Sequence, residues 1–169
     1  MRQRLPLYLM VKPPPLVREQ IGAREYCSGR RPPELLHMTI MALGDAAEYP
    51  PEVIDGLKAM LPGTEAAPFE LCFDLIVGNG KHIELVSSAP LDEAKAFKQI
   101  ILDHFASQGL RLSEGKLRPH ITLDYNSAVR CRQQIDPIRW LVEDFVLIAS
   151  VHGKQQHREL GRWNLRGSM

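Results

Sequence analysis

The pattern His-apolar-Thr-apolar occurs twice in this chain, at His37-Met38-Thr39-Ile40 and again at His120-Ile121-Thr122-Leu123. Apolar and polar residues alternate around both copies, which predicts β-strands with one buried face. Because residues two apart in a strand point the same way, each histidine shares a face with the threonine that follows it. One such pair is ordinary on a protein surface. Two copies, one in each half of the chain, predict a fold that uses both together.

The apolar faces define how far each strand is expected to run. The first strand is predicted over residues 35–43, with an apolar face formed by Leu36, Met38, Ile40 and Ala42. The second is predicted over residues 117–125, with an apolar face formed by Leu117, Pro119, Ile121, Leu123 and Tyr125. Asp124 falls on the same face as His120 and Thr122, so this polar face carries a carboxylate as well.

The rest of the chain alternates between strand and helix patterns. Strands are predicted over 5–11, 69–75, 81–86, 144–151 and 157–165, and helices over 17–25, 53–61 and 91–105. Ser88 is expected to cap the last of these helices, whose apolar face is Leu91, Ala94, Phe97, Ile101 and Phe105. The order β-α-β-α-β-β-α-β-β-β predicts an α+β fold of antiparallel sheets with helices packed outside them.

Length and composition narrow the class of protein. We expect one bilobal domain over 1–169, with 167–169 as a tail, because no linker interrupts the chain. The charges of the 21 basic and 20 acidic residues nearly cancel, which argues against strong electrostatic binding of long nucleic acid. Three cysteines without metal-ligand spacing predict no disulfide framework. Without a long apolar run or a signal-peptide pattern, we expect a cytoplasmic monomer that does not bind membranes.

The repeated residue types indicate acid–base chemistry. Imidazole is the side chain suited to moving protons near neutral pH, so one histidine can accept a proton while the other donates one. The threonine hydroxyls can donate hydrogen bonds to phosphoryl oxygens, where negative charge accumulates in the transition state. Such a site predicts in-line displacement at phosphorus without a metal ion or another cofactor.

The paired motifs resemble those of the 2H phosphoesterase superfamily, and their surroundings are similar to the bacterial RNA 2′,3′-cyclic phosphodiesterases, also called 2′-5′ RNA ligases. The similarity extends from Arg4-Leu5 through Val17–Ile21 and Phe145–Ser150 to Leu160–Leu165. It implies a bilobal fold with a pseudo-twofold axis, one antiparallel sheet per lobe and a central cleft. It also implies His37, Thr39, His120 and Thr122 as catalytic residues, with His120 activating water and His37 protonating the leaving oxygen.

The resemblance further implies the substrates. These are RNA ends or cyclic nucleotides, whose 2′,3′-cyclic phosphates would be hydrolysed to 2′-phosphates. Some members of this family also join RNA through a 2′-5′ bond, so ligase or 2′-5′ phosphodiesterase activity is one alternative. A second alternative is an RNA-end-binding module that keeps the cleft without useful turnover.

The sequence departs from the family pattern in two places. Asp124 and Tyr125 follow the second motif where family members often carry an arginine, and His157 stands where many have an aromatic residue, four positions before Gly161. These departures affect the expected substrate more than the reaction type. His152 and His157 also flank a turn, but no carboxylate or cysteine is spaced to complete a metal site with them.

Candidate substrate-binding residues lie next to the motifs. Arg118 is two residues before His120 and on the same face, where it can reach a phosphate. Arg31 precedes the first motif strand; it belongs to a solvated loop or contacts a phosphate. Tyr8 and Tyr125 either stack on a base or pack in the core.

Overall fold

The structure is a computed structural model that describes residues 3–24, 31–112, 115–151 and 153–167. These residues form eight β-strands and three α-helices, with short 3₁₀ turns at Pro33–Leu35 and Leu61–Gly63. In chain order they are β1 (Pro6–Val11), α1 (Pro15–Gly22), β2 (Met38–Asp45), α2 (Pro51–Met60), β3 (Phe69–Asn79), β4 (Ile83–Val86), α3 (Asp92–Ser107), β5 (Ile121–Asp124), β6 (Arg130–Val142), β7 (Asp144–Val151) and β8 (Gln156–Asn164).

All neighbouring strands are antiparallel, in the order β6-β3-β4-β5-β2-β1-β7-β8. The four strands on one side and the four on the other form two half-sheets. These half-sheets meet where Met38 of β2 pairs with Ile121 of β5, the one residue pair that joins these two strands within the described parts of the chain. The predicted α+β fold with antiparallel sheets is therefore confirmed, and the two motif strands lie at its centre.

Each motif strand is reached in the same way. The chain passes from β1 through α1 to β2, and from β4 through α3 to β5, and in both cases the two strands pair with each other. The repeated unit explains why the two His-x-Thr patterns sit at matching places on either side of the junction.

The main core lies on the face of the sheet opposite the motif side chains. Helix α3 contributes Ala94, Phe97, Ile101 and Phe105, all of which are almost completely buried, as predicted. The ring of Phe97 lies 5.3 Å from Phe69 of β3 and 5.3 Å from Phe145 of β7. One helix thus joins the two half-sheets through a shared aromatic contact.

The sequence prediction missed strand β6, which pairs with β3 along most of its length. β6 is an edge strand with the sequence RCRQQIDPIRWLV, and its residues alternate between exposed and more buried positions. Pro137 and the many charged residues weaken the strand pattern. Both features are tolerated at an edge, because one side of the backbone needs no partner there.

The predicted apolar face of the first motif strand was wrong at Ala42, which is exposed, whereas Met41 is buried. The cause is a β-bulge: Met10 pairs with Thr39 and the adjacent Leu9 pairs with Met41, which inserts Ile40 as an extra residue in β2. A bulge reverses the alternation of faces beyond it. His37 and Thr39 precede the shift in register and keep their predicted face.

Two further expectations about local structure were wrong. Ser88 does not cap α3; its amide and hydroxyl donate to the carboxylate of Asp74 at 2.7 and 2.5 Å. Both motif strands also start later than predicted, so that His37 and His120 each lie one residue before the first strand residue. No helix in the described ranges is long and apolar enough to cross a membrane.

Candidate active site

The two motifs approach each other head to tail. Because β2 and β5 are antiparallel and Met38 pairs with Ile121, extending the register by one residue brings His37 towards Thr122 and Thr39 towards His120. Thr39 and His120 line the same cavity of about 380 Å³, in agreement with this register. The register therefore predicts that each histidine faces the threonine of the other motif, and the shared cavity agrees with this for His120 and Thr39.

The two imidazoles are held by the same local hydrogen bond. His37 Nδ1 lies 2.7 Å from the carbonyl oxygen of Leu35, and His120 Nδ1 lies 2.7 Å from that of Arg118. A carbonyl oxygen can only accept, so Nδ1 is the protonated nitrogen in both rings. This arrangement leaves both Nε2 atoms for proton transfer.

The surroundings of His37 favour a neutral ring. Burial lowers the pKa of His37 to about 3, and Arg31, His157 and Lys12 act in the same direction; the hydrogen bond to Leu35 acts against them. In the free protein at neutral pH the imidazole of His37 is therefore uncharged and its Nε2 carries a lone pair.

A third histidine contacts the first. The rings of His37 and His157 meet edge to face, with 5.0 Å between their centroids and an interplanar angle of 68°. Arg31 Nη2 lies 3.4 Å from His157 Nε2, which therefore accepts from the guanidinium. Burial, together with Lys12 and Arg31, lowers the pKa of His157 to about 4, so this ring is also neutral. His157, noted in the sequence as a departure, lies within the site.

Arg31 and Tyr125, two of the predicted substrate-binding residues, lie side by side. The guanidinium of Arg31 stacks over the Tyr125 ring at 4.7 Å from its centroid, and Arg31 Nε donates to the Leu35 carbonyl oxygen at 3.0 Å. Both residues line a cavity of about 630 Å³ beside His157. Its other lining residues include Asp124, Asn126, Ser150, Gln155 and Gln156.

Arg118, the third predicted substrate-binding residue, is held by a carboxylate. Its Nη1 and Nη2 donate to the two oxygens of Glu84 at 2.7 and 2.6 Å, while its own side chain stays 64% exposed. Glu84 is buried on β4, opposite Thr122 of β5, and its Oε1 lies 3.8 Å from His120 Nε2. The hydrogen bonds from Arg118 lower the pKa of Glu84, which is therefore ionised.

The two remaining expectations on this face have different outcomes. Asp124 lies beside the large cavity, where its Oδ1 accepts from the Asn126 amide at 3.0 Å. Tyr8 packs against Met10, Val146 and Ile148 in a small apolar cluster. Because Met10 pairs with Thr39, this cluster lies on the same face of the sheet as Thr39. His152 lies outside the described residues.

The geometry agrees with comparison to known protein families. A family model described as the 2′-5′ RNA ligase superfamily matches residues 13–154. The chain belongs to this superfamily. Its resemblance to the 2H phosphoesterases is thereby confirmed, and both motif strands fall inside the matched region. No curated protein sequence matches the chain.

Solved structures show the same superfamily fold. E. coli LigT in complex with 3′-AMP is 22% identical, with a TM-score of 0.73 over 96% of this chain and 99% of LigT. The protein TT0787 of Thermus thermophilus is 19% identical, with a TM-score of 0.77 over 97% of this chain and 100% of that one. A protein described as a phosphoesterase is 24% identical, with a TM-score of 0.70 over 98% and 99%.

Two residues of the site were not identified as such from the sequence. Glu84 lies between Ile83 and Leu85 in a strand of alternating pattern. The alternation indicates that its side chain points away from those of its two neighbours. It does not indicate that β4 pairs with β5. Lys12 follows β1, and its charge lowers the pKa of His37 and His157 from outside both motifs. Within the described ranges, no group of three or more His, Cys, Asp or Glu side chains is placed to hold a metal ion.

Proposed function

We propose that this protein is a phosphodiesterase that hydrolyses 2′,3′-cyclic phosphate ends of RNA or nucleotides to 2′-phosphates. One observation carries the proposal: two imidazoles, each fixed by a hydrogen bond from Nδ1 to a backbone carbonyl, keep Nε2 for proton transfer and face the threonine of the opposite motif. This is a general acid and a general base on either side of a hydrogen-bonding site.

The two histidines have different surroundings, which supports different roles. His37 is neutral in the free protein because burial and nearby cations lower its pKa to about 3. A bound phosphate anion would offset this effect and make the ring a stronger base. His120 has the Glu84 carboxylate 3.8 Å from its Nε2, an arrangement that suits a proton donor. We therefore assign His37 as the base and His120 as the acid, the reverse of the roles that the resemblance implies.

The reaction then proceeds in one displacement at phosphorus. His37 Nε2 takes a proton from water as the water oxygen bonds to phosphorus, and the bond from phosphorus to O3′ breaks. His120 Nε2 gives its proton to O3′, so the phosphate remains on O2′. Thr39 and Thr122 donate hydrogen bonds to the non-bridging oxygens, where the transition state gains charge. The two histidines finally return to their starting states by exchanging protons with solvent.

The cavity beside His157 is our candidate for holding the terminal nucleoside. Its residues Arg31 and Tyr125 present a stacked guanidinium and ring, which are surfaces that nucleobases stack on. The Arg118 side chain stays largely exposed while it is bonded to Glu84. The part of its guanidinium that does not contact Glu84 can donate a hydrogen bond to a phosphate oxygen. Structures of E. coli LigT contain 3′-AMP, phosphate, NADP⁺ or ATP, which supports a nucleotide ligand here too.

The test is incubation with a nucleoside 2′,3′-cyclic phosphate, with products identified by phosphorus NMR. We expect a single 2′-phosphate from the wild type and almost none from His37→Ala or His120→Ala. His104→Gln is the control, because His104 lies on α3, away from the motifs, where its Nε2 is hydrogen-bonded to the carbonyl oxygen of Met60 at the end of α2. Binding without turnover by the wild type would instead indicate the RNA-end-binding module, and joining of RNA ends would indicate the ligase.

A further inference from the structure

A separate small cavity lies where the chain leaves β1 and enters α1. It measures about 220 Å³ and lies against the end of β6 and the start of β7. We call it the Lys12 cavity. Its lining residues include Lys12, Arg18, Trp140, Glu143, Asp144 and Arg162.

Two buried N–H donors belong to residues of this cavity. Trp140 is 6% exposed, and its indole nitrogen has no hydrogen-bond partner among the described residues. The Nε of Arg18 is likewise buried and without a partner there. Buried polar groups in folded proteins are nearly always hydrogen-bonded, so these two donors are open to an acceptor.

The cavity lining carries three cations, Lys12, Arg18 and Arg162, and two carboxylates, Glu143 and Asp144. Arg162 is neutralised by Asp144 and Glu159, with contacts at 2.8 and 3.0 Å. Lys12 and Arg18 form no ion pair with a carboxylate of the described residues, and Lys12 Nζ donates to the neutral Glu34 carbonyl at 3.0 Å. Burial lowers the pKa of Lys12, and so do the neighbouring Arg162, Arg18 and Arg31, whereas Glu159 raises it.

Lys12 also connects the cavity to the candidate active site. It directly follows Val11, which pairs with Met38 beside His37. The Lys12 charge acts on both His37 and His157, so the cavity adjoins the His37 side of the cleft. A ligand reaching from the cleft into the cavity would pass Lys12.

We propose that the Lys12 cavity binds a second phosphate of the substrate, on the 5′ side of the nucleotide that carries the cyclic phosphate. Phosphate oxygens are acceptors only, and lysine, arginine and neutral N–H donors are the groups that bind them. The inference rests on the proposed function and narrows its substrate: the protein prefers the end of an RNA chain, or a nucleotide with a 5′-phosphate, to a nucleoside cyclic phosphate.

The experiment compares kcat/KM for three substrates that end in the same nucleoside 2′,3′-cyclic phosphate. They are the nucleoside form, its 5′-phosphorylated form and a dinucleotide. We expect the wild type to prefer the two substrates with a second phosphate by about tenfold or more, the range that one charge-assisted hydrogen bond gives. The dinucleotide and the 5′-phosphate arms distinguish a chain phosphodiester from a terminal phosphate group.

Two variants connect this preference to the cavity. Arg18→Gln removes a cation and Trp140→Phe removes the indole N–H, and each should bring the ratio of kcat/KM values closer to one. Arg24→Gln is the matched control, because Arg24 lies just past the end of the same helix and donates to the Asp136 carbonyl instead. Its ratio should equal that of the wild type. Thermal melts confirm that each variant is folded.

The outcomes separate the two proposals. Turnover of all three substrates without preference, or a preference that Arg18→Gln and Trp140→Phe both leave intact, would overturn the phosphate assignment and leave the phosphodiesterase standing. Failure to turn over any of the three would overturn the proposed function and this inference with it.

Discussion

Arg118 donates a hydrogen bond from each terminal nitrogen to the Glu84 carboxylate, at 2.7 and 2.6 Å, and the same carboxylate reaches to 3.8 Å from His120 Nε2. The charge on His120 contributes to the lowered pKa of Glu84, after the larger effect of Arg118. The Glu84 carboxylate is therefore shared between the Arg118 guanidinium and the imidazole of His120. Glu84 is thus a positioning residue for the proposed acid.

Replacing Glu84 by Gln should slow turnover. The amide keeps the shape of the side chain but removes the carboxylate that lies beside Arg118 and His120. We expect kcat/KM to fall about tenfold. Glu70→Gln is the control, since Glu70 forms an exposed ion pair with Arg139 on β3 and β6. An unchanged kcat/KM in the Glu84 variant would assign it a purely structural role.

The fold should lose stability in acid because two histidines are buried as neutral rings. The pKa is lowered to about 3 for His37 and about 4 for His157, against about 6.5 in an unfolded chain. Below about pH 6.5 the unfolded state therefore binds more protons. The stabilisation is complete above that pH and is lost as pH falls towards 4, with a slope of up to about 1.4 kcal/mol per pH unit for each histidine.

Urea unfolding at pH 7 and pH 5 measures this effect. His157→Phe removes one of the two groups, and the difference in unfolding free energy between the two pH values should shrink. His82→Phe, in the other half-sheet, controls for the loss of an imidazole as such. Equal pH dependence in the wild type and His157→Phe would show that the pKa of His157 is the same in the folded and the unfolded protein.

Local pattern was enough to predict the motif strands, the hairpin of β3 and β4 and the buried face of α3. In each case a period of two or of three to four residues fixes which side chains share a face. The site needed more. Glu84 reaches His120, and His157 reaches His37, only because β4 pairs with β5 and because β8 lies in the same half-sheet as β2. Such neighbours are set by tertiary pairing, which no local pattern contains.

Activity should not require a divalent metal ion. The groups that face each other across the motifs are imidazoles and hydroxyls, which move protons and donate hydrogen bonds, and the proposed mechanism uses them alone. We expect the rate of cyclic phosphate hydrolysis to be the same with excess EDTA, and added Mg²⁺ or Zn²⁺ to give no stimulation. Loss of activity in EDTA that Zn²⁺ restores would refute the metal-independent mechanism.

The core contact of Phe97 should dominate the stability of the packing between α3 and the two half-sheets. Phe97→Ala removes a buried ring that meets both Phe69 and Phe145, and such truncations cost about 3–5 kcal/mol. Ile100→Ala on the same helix is the control, because Ile100 is 36% exposed. Denaturant unfolding of both variants should show a much larger loss for Phe97→Ala; equal losses would contradict this account of the core.

The junction of the half-sheets at Met38 and Ile121 has a mechanical consequence. Within the described residues, one backbone pair joins the two four-stranded half-sheets, and it lies between the two motifs. A rotation of one half-sheet against the other would change the distance between His37 and His120. We expect the amides of this pair to exchange with deuterium faster than those between β3 and β6. Their exchange should become slower when a nucleotide binds to both half-sheets.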